Sequence, residues 1–378
     1  MLKISKSIKE LSRDDIADNL FHYDYNTKHL LSIIRKGVAE DDPSYLSSYR
    51  SFEGEVYENF LYEKLLRYAE TNEDIEKFVL KGFHQNRHKA YANTLSISEK
   101  EQIVYRTKSR EISEFDAMFL TKNNELYFVE MTLVKSVLKL RRRLRKKKAL
   151  LEIIFPNYEI KALIILNEGA IGTKQFPDYC NVWFTQEFSA AEILEYIRAK
   201  EKRQLLPKVK IKSKKMIEAH TLKLHPFRYY NTMSWITKTL RSHKKHILDM
   251  SFLMNDKIQR YQDLYNKFYI GYIDIESVRD MLQLKDEYKK DQRVVIAIEK
   301  KHSDEIVLTY YIQTARKNLY LYSFDDDGKL SREKKDPYGI TVTEVFHISK
   351  QMDEKYTLDM SNIKTIKKLL KERYEAQL

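Results

Sequence analysis

One cysteine stands among the 378 residues, Cys180. A lone cysteine excludes a disulfide framework and any zinc site built on cysteine pairs. It fits a reducing, intracellular compartment, and the expectation is a cytoplasmic protein. Glycine is scarce, at 8 residues, and none of the glycine-rich signatures of nucleotide chemistry occurs. There is no G-x-x-x-x-G-K-[ST] loop to cradle ATP phosphates, no G-x-G-x-x-G turn for a dinucleotide or methyl donor, and no G-x-S-x-G nucleophile elbow. No apolar run reaches the length of a membrane-spanning helix. The opening MLKISKSIKELSRDD carries no apolar core of signal-peptide length. A membrane partner is therefore not expected; internal repeats and low-complexity tails are also missing.

What is there is a globular mixture, 43% hydrophobic and 33% charged, long enough for two domains with a substantial core. Basic residues number 68 against 55 acids, a formal charge of +13. That surplus points to a polyanionic partner, nucleic acid ahead of membrane, although a lysine-rich surface also serves solubility alone. Residues 1–50 read as a helical preface, with Leu30, Leu31, Ile33 and Ile34 at helical spacing. Ser51 to Glu70 reads as an amphipathic helix with Phe52, Val56, Phe60, Leu61 and Leu65 on one face. Strands are expected at 75–83, 103–108, 160–166 and 181–185, and a helix at 189–206.

The stretch Ser113 to Lys135, SEFDAMFLTKNNELYFVEMTLVK, organises this part of the chain. Phe115, Ala117 and Phe119 alternate with Asp116, Met118 and Leu120. Lys122-Asn123-Asn124 makes a turn, and Leu126-Tyr127-Phe128-Val129 leads to Glu130. Aromatic and β-branched runs on either side of an Asn-Asn turn predict a β-hairpin. Two acids interrupt the apolar runs, Asp116 in one strand and Glu130 in the other. Burying an acid is expensive unless something pairs with it. A divalent cation between the two carboxylates would pair with both, and oxygen ligands suit Mg²⁺ or Mn²⁺.

An Asp in one strand, a Glu in the next after a short turn, and then a helix resembles the PD-(D/E)xK nuclease superfamily. Asp116 and Glu130 match its two acids. Thr132 stands where that pattern has Lys. Gly54-Glu55-Val56-Tyr57-Glu58 is similar to the Gly-x-x-aromatic-Glu that many members carry on the first core helix. Glu58 is the match, with Glu55 as the alternative and a plain surface acid as the bland reading. The resemblance covers about 51–206. It implies an α/β (α+β) fold of restriction-endonuclease-like type, a mixed sheet flanked by helices. It implies metal held by Asp116, Glu130, the Met131 carbonyl and Glu58, and metal-dependent phosphodiester hydrolysis, with restriction or phage defence as a setting. A homodimer is an arrangement it also implies. For the missing Lys three readings stay open. Lys135 or Lys139 reaches back; the metals suffice alone; or the site is inactive and the fold only binds.

Leu133 to Phe155 is expected to be one long helix with Val137, Leu140, Leu144 and Leu151 buried. Its other positions are densely basic, with Lys135, Lys139, Arg141, Arg142, Arg143, Arg145, Lys146, Lys147 and Lys148 and no acid between Lys135 and Leu151. Like charges repel along a helix and need an offset. Phosphate supplies one, so this face is expected to bind nucleic acid, as are Arg87 and Lys89 in a basic loop. His84 and His88 sit four apart without a carboxylate nearby and read as loop residues.

Pro207 to Lys215 is a basic connector and the expected boundary of a C-terminal α+β domain, 207–378, for target recognition or assembly. There 217–290 reads as helices. Strands are expected at 294–300, 305–313, 317–324 and 338–348, with a turn at 325–328 and a closing helix at 362–376. The composite expectation is a metal-dependent nuclease acting on DNA. The competing readings are a non-catalytic nucleic-acid-binding protein with a nuclease-like fold, and an interaction module whose basic helix meets an acidic protein.

Overall fold

The structure, a computed structural model, describes residues 17–85, 91–108, 110–138, 140–185, 188–199, 209–239, 256–265, 267–282, 284, 293–300, 306–313, 321–324, 330–333 and 357–375. The expected turn at 325–328 and strand at 338–348 lie outside these residues. The chain forms two compact units, Met1–Leu144 with Leu151–Pro226, and Arg145–Leu150 with Phe227–Leu378. Both combine helices and sheets, a mixed α/β class. Among the described residues no helix is long and apolar enough to cross a membrane.

In the first unit α1 (Ala17–Leu20), α2 (Lys28–Arg35) and α3 (Pro43–Thr71) come first. The long helix starts at Pro43 rather than Ser51, because Asp42 accepts the Ser44 N–H at 2.8 Å and Pro43 fits the first turn. The preface is therefore continuous with the core, and α2 packs on α3. Next come β1 (Ile75–Leu80), a three-stranded antiparallel sheet of β2 (Thr94–Ile97), β3 (Ile103–Arg106) and β4 (Glu111–Phe115), then β5 (Ala117–Thr121) and β6 (Glu125–Thr132). The unit goes on with α4 (Leu140–Ile154), β7 (Glu159–Asn167), β8 (Cys180–Thr185), α5 (Ala191–Arg198) and β9 (Met216–Glu218).

The main sheet has the order β8-β7-β6-β5-β1-β9. It is mixed: β1, β5 and β6 are antiparallel neighbours, and β6, β7 and β8 run parallel. A parallel pair needs a crossover, and α4 is the one between β6 and β7. The hairpin is as expected, with Asn124 in the left-handed region at φ 58° closing the turn.

Strand alternation splits the sheet into two faces. Ala117, Phe119, Tyr127, Val129, Met131, Leu163 and Ile165 join the α3 side chains Phe52, Val56, Phe60 and Leu65 in one core. The intervening residues, Met118, Leu120, Leu126, Phe128 and Glu130, are buried on the other face.

Two boundaries differ from expectation. The basic helix begins at Leu140, not Leu133, because the Thr132 hydroxyl takes the Val134 N–H at 3.2 Å and Ser136 bridges to Ile171. The first unit runs on to Pro226. Strand β9 pairs parallel with β1, and the Lys215 amine donates to the carbonyls of Ala69, Glu70 and Asn72 at the end of α3. The connector thus caps a helix of the first unit.

The second unit holds α6 (Tyr229–Thr239), α7 (Asp256–Tyr265), β10 (Lys267–Asp274), α8 (Ile275–Val278), β11 (Arg293–Lys300), β12 (Ile306–Gln313), β13 (Leu321–Phe324), β14 (Leu330–Glu333) and α9 (Met360–Glu375). Strands β10 to β14 form an antiparallel sheet in sequence order. Residues 267–274, expected to be helical, form its first strand. Phe268 fits a helical stripe as well as a strand, but Phe268, Ile270 and Tyr272 also alternate, and β-branched and aromatic residues suit the sheet.

Candidate active site

Asp116 is the single residue between β4 and β5. There the chain passes from the small sheet to the main one. The β5–β6 ladder ends at Ala117 opposite Val129, and the same pairing carried on by one residue sets 116 against 130. With β5 ended, the Asp116 carboxylate takes a backbone donor of β6: its Oδ2 accepts the Met131 N–H at 2.7 Å. Both acids are buried, Asp116 at 8% exposure and Glu130 at 1%.

Glu130 points away from α3 and toward α4. The Arg143 guanidinium lies 2.6 Å from its Oε2, and the Arg143 side chain is 56% exposed. This contact answers the question an acid inside a strand raises: a buried carboxylate is held by a cation. Thr132, two residues on and half-buried, uses its hydroxyl to accept the Val134 N–H. Lys135 is exposed in the following loop, where its carbonyl accepts the Ile171 N–H at 2.7 Å. The cation that meets Glu130 thus comes from α4, not from Lys135.

Glu58 is half-buried on α3, the helix that packs on the opposite face of the sheet from Glu130. Among the described residues no group of three or more His, Cys, Asp or Glu side chains could hold a metal ion, so Glu58 does not join Asp116 and Glu130 in one. The two strand acids remain. Mg²⁺ is commonly held by one or two carboxylates, with water and substrate phosphate filling the other positions. Two buried carboxylates, Asp116 just before β5 and Glu130 on the paired strand β6, fit that pattern.

The basic run is not a uniformly solvated face. Val137, Leu140, Leu144 and Leu151 are buried as the pattern predicts. Of the cations, Arg143 is exposed, while Arg141, Arg142, Arg145, Lys146 and Lys148 are half-buried. Lys147 is buried at 4% exposure, the reverse of what a phosphate-binding charge requires. None of Arg141, Arg142, Arg145, Lys146, Lys147 and Lys148 is without a partner. Lys139, Arg87 and Lys89 lie outside the described residues.

A third buried acid escaped the sequence reading. Glu63 on α3 is fully buried. Its Oε1 accepts from Tyr23 Oη at 2.7 Å and meets His84 Nε2 at 2.6 Å. Its Oε2 accepts from Arg67 at 2.6 Å and from Asn19 Nδ2 at 3.1 Å. Burial pushes this carboxyl upward, but His84, Arg67 and Asn19 outweigh it and hold the group at about 2. His84 is accordingly no loop residue; it is buried against the core helix. The signal was present, because Glu63 stands at helical spacing from Val56 and Phe60, inside the apolar stripe.

No family model, no curated protein and no solved structure matches this chain.

Proposed function

We propose that the first unit is a metal-dependent nuclease of PD-(D/E)xK type, with a restriction-endonuclease-like core, that hydrolyses phosphodiester bonds of nucleic acid, DNA in the first instance. The observation that carries this reading is the pair Asp116 and Glu130, two buried acids brought side by side by adjoining antiparallel strands. The strand order supports it too. A helix, an antiparallel hairpin, a crossover helix and a parallel strand follow one another as the sequence resemblance implies.

Asp116 and Glu130 would hold Mg²⁺ or Mn²⁺, with the Met131 carbonyl as a further ligand. The ion would supply Lewis acidity and an activated water. Asp116 is pre-set for this by the Met131 N–H, which fixes one of its two oxygens. Arg143 adds a positive charge beside the acids, where Thr132 supplies none. A phosphate arriving there would meet a planar guanidinium able to bind two of its oxygens at once.

A specific observation favours a second reading, a nuclease-like fold that binds without cutting. The Glu130 Oε2 already has a cationic partner in Arg143.

One experiment separates them. Plasmid, linear duplex, single-stranded DNA and RNA are incubated with Mg²⁺, Mn²⁺ or EDTA, using wild type, Asp116→Ala and Glu130→Ala. Metal-dependent cutting lost in both variants is expected. Binding without cutting in any metal would move the function to the second reading.

A further inference from the structure

The second unit carries a positive face of a different kind from that of α4. Helix α9 buries Ile363, Ile366 and Leu370 and packs on β12. On its solvent side stand Lys364, Lys367, Lys368 and Lys371, all exposed. Their spacing, i, i+3, i+4 and i+7, sets them in one stripe over about 10 Å of helix axis. The helix is firmly held where it starts. The Asn362 N–H donates to Asp359 Oδ1 at 2.8 Å, and the Asp359 N–H donates to Asn362 Oδ1 at 3.2 Å. Just before them the Leu358 N–H donates to the Tyr272 carbonyl of β10 at 2.8 Å.

A solvated helix face interleaves acids with its bases, so that neighbours three and four apart attract. Between Asp359 and Glu372 the sequence has no acid. Each lysine of the stripe therefore has two others at those spacings, and they repel. Glu372 stands 3.8 Å from Lys368, which is 78% exposed, and so open a pair stabilises little. Lys367 rests over the Tyr310 ring at 5.6 Å and remains exposed. The cations of α4 are mostly half-buried, whereas α9 holds all four lysines where a phosphate can reach them.

We infer that this stripe is a nucleic-acid contact of the second unit, with Lys364, Lys367, Lys368 and Lys371 binding the phosphodiester backbone without reading sequence. Ammonium groups are compact point charges that suit phosphate oxygens, and backbone contacts position a duplex without specifying its bases. A duplex carries one phosphate about every 1.7 Å of its axis, so a stripe about 10 Å long meets several. The inference goes beyond the metal-nuclease reading, because it concerns binding by the other unit.

The test measures binding of the full chain to a labelled random-sequence DNA duplex by fluorescence anisotropy across a salt series. EDTA is present, so the result does not depend on whether the first unit cuts. Parallel arms use an RNA duplex and vesicles of phosphatidylserine in phosphatidylcholine. Lys364→Gln, Lys367→Gln, Lys368→Gln and Lys371→Gln together should weaken duplex binding about 100-fold at about 0.1 M salt. The slope of log affinity against log salt should become shallower by about 3 to 4. The same four positions changed to Arg should bind within about threefold of wild type, since the charge is kept. So should a control for net charge, Lys28→Gln, Lys36→Gln, Lys122→Gln and Lys174→Gln, at exposed lysines of the first unit. Equal loss with RNA supports the shared phosphate chemistry.

The inference is overturned if the α9 and first-unit Gln sets weaken binding alike, because net charge alone then sets the affinity. Wild type that binds vesicles but no nucleic acid also overturns it and makes the stripe a membrane contact. Wild type that binds neither overturns it as well. Should the fourfold Gln variant lose its helix by circular dichroism, Lys364→Gln with Lys368→Gln decides. That pair leaves Lys367 on Tyr310 and should make the slope shallower by about 2; an unchanged slope rejects the contact.

Discussion

Two buried glutamates sit in the same unit and are treated in opposite ways. Glu63 lies on α3 under the sheet, with four side chains bonded to its two oxygens. Glu130 lies on β6, on the other face, and one cation on it is an exposed arginine from the crossover helix. The first is closed: Tyr23, His84, Arg67 and Asn19 come from α1, α3 and the loops around them and enclose the carboxylate. The second has at least one partner that reaches it from solvent. A buried charge that serves only the fold is best surrounded, because each missing partner leaves an unpaid desolvation. A buried charge that must meet a ligand needs a partner that can be displaced. Asp116 lies beside Glu130 in the chain pairing, with its Oδ2 on the Met131 N–H, and two adjacent buried acids favour a nearby cation.

The sharpest test of this contrast is Glu63→Ala. It would leave buried Tyr23, His84 and Asn19, and half-buried Arg67, without the carboxylate that joins them and should lower stability by about 3–5 kcal/mol, read from urea denaturation. A loss below about 1 kcal/mol would erase the distinction between the two glutamates.

Acid should act through the same residue. The folded Glu63 carboxyl is held at about 2, from an ordinary value of 4.5. A carboxyl lowered on folding adds stability that is complete above its unfolded value. That stability is lost as pH falls through the folded one. The gap corresponds to roughly 3 kcal/mol, present at pH 6 and draining between pH 4.5 and 2. Urea midpoints of wild type and Glu63→Gln across that interval measure it, and the variant should show a flatter decline.

At the other glutamate the effect should move from stability to chemistry. Asp116→Asn and Glu130→Gln keep shape and lose charge. Each should cut metal-dependent cleavage by about 100-fold or more, while stability shifts stay within about 1.5 kcal/mol. Matching losses of stability and activity would mean that Glu130 is a structural acid like Glu63.

The smallest effect is expected at Thr132. Its hydroxyl accepts one backbone N–H from Val134 at a half-exposed position, so Thr132→Ala should cost about 0.5–1.5 kcal/mol. Cleavage by this variant should stay within a few-fold of wild type. A 100-fold loss would give Thr132 a direct role at the phosphate.

Much of the architecture was legible in the residues. The hairpin came from alternation around Asn123-Asn124, and the central strand from the run Ile160 to Leu166. The buried stripe of the basic helix came from Val137, Leu140, Leu144 and Leu151. Less legible was whatever depended on a neighbour distant in sequence. The strand at 267–274 was hidden because Phe268 satisfies both periods. Asp116 read as an acid within one continuous strand, while in fact it is the residue at which the chain changes sheets. Lys135 looked like the cation nearest Glu130 because it is near in sequence, but a helical turn and a crossover bring Arg143 there instead.

The sequence by itself determined the elements and their order, because periodicity, turn chemistry and capping act within a few residues. Asp42-Pro43 starts a helix and Asn124 closes a hairpin wherever they stand. It also determined that the two acids would fall near the open end of one hairpin, since a tight turn sets the pairing of its strands. Only the tertiary structure decided which charges met. Glu63 against His84, and Glu130 against Arg143, are contacts between elements whose approach is set by sheet order and helix packing. A periodic stripe marks which side chains go inside, but which charges meet there depends on elements far apart in the chain.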